Sequence, residues 1–93
     1  MTVSFTARAR AELFRQIDWL EVRSRDAAMR AADQIDAMVA QLADFPESAP
    51  VIDGRHREAT VNFGRDGFVL RYRVDPHAVT IVRVFHGRQA RRR

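Results

Sequence analysis

Cysteine is absent from this 93-residue chain, so no disulfide can staple it and no thiolate metal site can form. The fold must rest on apolar packing. Lysine is absent too: the 16 basic residues are all arginine, which excludes any chemistry that needs a lysine general base. No apolar run approaches the ~18 residues that a membrane span requires. Near the N-terminus Arg8, Arg10 and Glu12 interrupt any apolar region that a secretory signal would need. The expectation is a cytoplasmic protein without membrane contact. Repeats are missing, and the one low-complexity stretch is Arg91-Arg92-Arg93. A chain this short makes a single domain, residues 1–93, that buries only about 60–65% of its unfolded surface.

Charge is present and unevenly placed. Residues 1–54 hold six arginines against nine acids, leaving −3, whereas residues 55–93 hold ten against three, leaving +7. Such asymmetry points to an anionic or acidic partner for the C-terminal half.

The apolar pattern defines the elements. Val3 and Phe5 alternate with polar neighbours, as in a short strand. Thr6 is a good helix N-cap. Ala9, Leu13, Ile17 and Leu20 then recur at helical spacing, which predicts a helix from about Ala7 to about Val22. Ser24 caps a second helix, whose face Ala28, Ala31, Ile35, Met38, Leu42 and Phe45 steps by three and four up to Pro46. The short break between the helices predicts an antiparallel hairpin. Phe14 and Trp19 lie off the narrow stripe of the first helix.

A loop over 47–54 leads to a strand with Ala59, Val61 and Phe63, then to the turn Gly64-Arg65-Asp66-Gly67. In the next strand Phe68, Leu70, Tyr72 and Val74 share a core face, and Val69, Arg71 and Arg73 share a polar or partner-facing one. Asp75-Pro76-His77 turns the chain into a last strand, Ala78 to His86. Its phase changes between Ile81 and Val82, which a bulge near Arg83 or burial on both faces would explain. The order β-α-α-β-β-β gives an α+β domain with a helical hairpin packed on one face of an antiparallel sheet.

Four stretches carry a family resemblance: Phe5-Thr6-Ala7-Arg8-Ala9-Arg10-Ala11-Glu12-Leu13, Leu42-Ala43-Asp44-Phe45-Pro46, Phe68-Val69-Leu70-Arg71-Tyr72-Arg73-Val74 and Ile81-Val82-Arg83-Val84-Phe85-His86-Gly87-Arg88. In this order they resemble the RelE/ParE superfamily of type II toxin–antitoxin toxins, and Val84-Phe85-His86-Gly87-Arg88 looks most like the ParE branch. The resemblance implies a cognate antitoxin as partner and two alternative activities. ParE-type toxins arrest growth by inhibiting DNA gyrase through contact; RelE-type toxins cleave mRNA on the ribosome with basic residues and often a tail tyrosine. Here the arginine expected two residues after Gly67 is replaced by Val69, and no tyrosine follows Gly87. These departures favour ParE.

The candidate partner-binding residues are Trp19, Arg71, Arg73, Arg83, His86 and Arg88. Arginine grips phosphate or carboxylate in a two-pronged geometry. In the ribonuclease alternative the catalytic candidates are His86, Arg83 and Arg88, because a histidine titrates near neutral pH. The three histidines carry no metal-ligand spacing, and no metal or cofactor is expected.

Overall fold

A computed structural model describes the backbone of residues 1–91 and the side chains of residues 1–89. The chain runs β1 (Thr2–Phe5), α1 (Ala7–Arg23), α2 (Arg25–Asp44), β2 (Arg57–Val61), β3 (Phe68–Asp75), β4 (Ala78–His86) and α3 (Gly87–Arg91). The four strands form one sheet in the order β1-β4-β3-β2. Pairing is antiparallel through β2, β3 and β4, whereas β1 lies parallel to β4 with Thr2 opposite Ala78 and Phe5 opposite Ile81. That last pairing departs from the all-antiparallel sheet read from the sequence. The intervening helices let the chain return in the same direction, a connection that alternation along one strand does not reveal.

Both predicted caps form. Thr6 Oγ1 accepts from the Ala9 N–H and Ser24 Oγ from the Ala27 N–H, each at 3.1 Å. Ser24 also ends α1, donating its own N–H to the Leu20 carbonyl. A single extended residue therefore joins the helices and folds α2 back on α1. At its other end α2 stops at Asp44, two residues before Pro46.

The core lies between the helices and one face of the sheet. Ala9, Ala31, Ile35 and Leu42 meet Ala59, Val61, Phe68, Leu70, Tyr72, Val79, Ile81 and Val84. Leu13, Ile17, Leu20 and Met38, expected in the same core, are only partly buried around it. A fully buried Leu or Ile contributes about 1.5–3 kcal/mol, so Ile35, Leu42, Leu70 and Ile81 hold much of the fold. The Tyr72 hydroxyl escapes burial without a partner by donating to the Pro46 carbonyl at 2.8 Å, and burial pushes its phenol pKa up.

The phase change in the last strand is a bulge. Arg71 faces Arg83 while the adjacent Tyr72 faces Ile81, so Val82 is the extra residue on β4. The bulge brings Val79, Ile81 and Val84 into one core despite their odd and even spacing. On the opposite face Val69 is buried, not solvent- or partner-facing as its neighbours suggested. It sits opposite Phe85, also buried, in the row beside Arg71 and Arg83. The chain then continues into α3, where the sequence offered no helical pattern.

Candidate functional site

One end of β4 meets the middle of α1 across a groove of about 520 Å³, lined by Arg15, Gln16, Trp19, Asp66, His86, Arg88 and Gln89. A smaller apolar slot of about 170 Å³ adjoins it, with Leu20, Phe63 and Phe68 added to the lining. Trp19 stands at this junction, 56% exposed, with the Arg23 guanidinium stacked 3.7 Å from its ring centre. The site thus combines an apolar floor with a cationic mouth formed by Arg15 and Arg88.

The wall carrying His86 is built by close backbone approach. The Gly87 N–H donates to the Gly67 carbonyl at 2.9 Å, and a Cβ on Gly87 would fall 1.8 Å from the Asp66 carbonyl oxygen. Only glycine fits there. Gly67 itself has φ +67°, in the left-handed region that glycine adopts at little cost. His86 Nδ1 accepts from the Arg88 N–H at 3.1 Å, which places the proton of the neutral ring on Nε2. Its ring meets Phe68 edge-on at 6.3 Å. Arg88 is exposed and reaches toward Asp66 at 3.8 Å, a loose pair that water weakens.

The six residues singled out from sequence do not form one site. Trp19, His86 and Arg88 share the groove. Arg71 and Arg83 lie on the other face of the sheet, across from each other on β3 and β4. Arg71 pairs with Glu58 at 2.9 Å, and both guanidiniums lie over the Phe85 ring, at 5.0 and 4.5 Å. Arg73 follows two residues along β3, partly exposed, with Asp75 at 3.7 Å. Of the tail, Arg92 and Arg93 lie outside the described residues, as do the side chains of Ala90 and Arg91.

Sequence reasoning missed Glu12. It is 8% exposed, and its carboxylate accepts from Arg83 Nε at 2.9 and 3.1 Å and from the Val84 N–H at 2.9 Å. A terminal guanidinium nitrogen of Arg83 lies at 2.8 Å. Burial by itself pushes the Glu12 pKa up. The Arg83 and Val84 hydrogen bonds and the charges of Arg83 and Arg8 outweigh it and hold the carboxyl below its ordinary range. The available signal was its place, three residues after Ala9 and beside the apolar stripe of α1. Arg15, Asp66 and Gln89 also line the groove without having been singled out. No group of three His, Cys, Asp or Glu residues suited to a metal ion occurs among the described residues, and no helix among them is long and apolar enough to cross a membrane.

Comparison with known proteins agrees with this fold. A family model described as the ParE toxin of type II toxin–antitoxin systems, parDE, matches residues 3–91. Toxin RelE3 of Caulobacter vibrioides is 39% identical over 90 residues, covering 97% of this chain and 98% of its own length. Toxin RelE1 of the same organism is 31% identical over 90 residues, covering 97% of each. A solved structure described as the chromosomal ParDE system from P. aeruginosa shares the fold, with a TM-score of 0.70 over 92% of this chain and 95% of that one at 23% identity. The chain therefore belongs to the ParE toxin family of type II toxin–antitoxin systems, within the RelE/ParE superfamily.

Proposed function

We propose that this toxin acts as a ParE-type inhibitor, by surface contact with DNA gyrase and without bond chemistry of its own, and that its antitoxin neutralises it by covering the contact surface. One observation carries the reading. The basic set that a ribonuclease would gather around a phosphate is split between two faces of the sheet. His86 and Arg88 line the groove, while Arg83 is on the opposite face, held by Glu12. General acid–base catalysis requires its groups within hydrogen-bond reach of one reacting centre. A contact surface has no such requirement; it needs an apolar anchor with charges around it, which Trp19, Arg15 and Arg88 supply.

Replacing His86 by Gln tests this directly, because Gln keeps a hydrogen-bonding side chain but cannot shuttle a proton near neutral pH. Growth arrest by H86Q should persist at matched soluble expression, whereas W19A should relieve it. The ribosome-dependent ribonuclease of the RelE type is the second reading. It is favoured by the concentration of Arg15, His86 and Arg88 at one mouth and by the RelE names of the two Caulobacter relatives. It predicts the reverse order, since loss of a general base typically lowers rate by ~10²–10⁴-fold.

A further inference from the structure

β1 covers β4 only from Ala78 to Ile81, so among the described residues the outer edge of β4 from Val82 to His86 has no neighbouring strand. A bare edge offers unpaired N–H and C=O groups. Side chains meet this one instead. Thr6 Oγ1 donates to the Val82 carbonyl at 3.4 Å, the Glu12 carboxylate accepts from the Val84 N–H at 2.9 Å, and Gln89 Oε1 accepts from the His86 N–H at 3.1 Å. Glu12 differs from the other two in being buried and in holding the Arg83 guanidinium at the same time.

The position of Glu12 gives this contact a consequence. On α1 it precedes Arg15 and Gln16 by about one turn, and the Val84 that it grips precedes His86 by two residues. Arg15 and Gln16 belong to one wall of the groove and His86 to the other. We infer that Glu12 is a positioning residue, standing in for the missing strand on the outer edge of β4 and tying the two walls of the groove together. An ionised carboxylate is suited to this because both of its oxygens only accept, so a backbone N–H and a guanidinium are satisfied together. A glutamine retains one acceptor but turns N–H groups toward Arg83; an alanine leaves the buried Val84 N–H without a partner.

Any effect on toxicity rests on the contact surface proposed above; the clamp itself does not. Both are read in one experiment on the full chain with E12Q and E12A. Amide exchange at Val84 is compared with exchange at Val79, which lies between β1 and β3 on the same strand. Trp19 emission reports the groove, and growth arrest at matched soluble expression reports function. Val84 should exchange about tenfold faster or more in E12A while Val79 stays slow, with a smaller change in E12Q. Trp19 emission should shift and arrest should weaken in the same order. If E12A does not fold, the Val84-to-Val79 ratio in E12Q decides. Equal acceleration at both amides, or none at Val84, would overturn the inference. Selective opening at Val84 with arrest intact would support the clamp and overturn the groove as the toxic surface.

Discussion

At neutral pH the Glu12 carboxylate is ionised, and the folded state holds it so through Arg83 and the Val84 N–H. Its folded pKa lies below the ordinary 4.5, so the unfolded chain takes up this proton more readily. The resulting stabilisation is complete above about pH 4.5 and is lost as pH falls through the lower folded value. E12Q should therefore be less stable at pH 7, by about 1–3 kcal/mol. The gap to the unmodified protein should narrow as denaturant titrations are repeated at lower pH. A gap that does not change with pH would assign the loss to packing instead. Gly87 offers a second test at this scale. The Cβ of G87A would overlap the Asp66 carbonyl, so the 64–67 turn must shift, at a cost of about 1–3 kcal/mol seen as a lower thermal midpoint. An unchanged midpoint would mean that the turn yields freely.

Among the elements, α2 and the centre of the sheet carry the stability. I35A and L42A should each cost about 2–4 kcal/mol in denaturant titrations, from lost apolar transfer plus a cavity. The same truncation at Met38, which is only partly buried, should cost less. Most elements were legible from sequence because each is specified locally. Thr6 and Ser24 cap through contacts three residues away, and Phe68, Leu70 and Tyr72 mark a strand face by strict alternation. What escaped is non-local. Glu12 meets Arg83 across 71 positions, and β1 joins the far end of the chain in parallel. The sequence left a bulge as one of two explanations for the last strand, and only the register places it at Val82. The site was legible in part. His86, Arg88 and Trp19 do share a groove, but Arg71 and Arg83 were grouped with them by charge, and strand alternation sends those two to the other face. Charge composition carries no record of which face a residue takes.

For the whole molecule, the concentration of positive charge in residues 55–93 should govern encounter with partners. The toxin–antitoxin family implies a cognate antitoxin, and an acidic segment is the complement of this half. Charge reversal at Arg65 and Arg88, which lie in this half, exposed beside the slot and the groove, should slow antitoxin association by about tenfold at low salt and flatten its dependence on ionic strength. Arg71 is a poorer probe, since a glutamate there would face Glu58 and disturb the sheet. Association at an unaltered rate would place the antitoxin elsewhere. The central claim, toxicity by contact without catalysis, is tested most directly by one parallel assay of the purified protein, gyrase supercoiling against mRNA cleavage on programmed ribosomes. Inhibited supercoiling with intact mRNA, retained in H86Q, is the predicted result. Cleaved mRNA with normal supercoiling, and loss of that cleavage in H86Q, would contradict it.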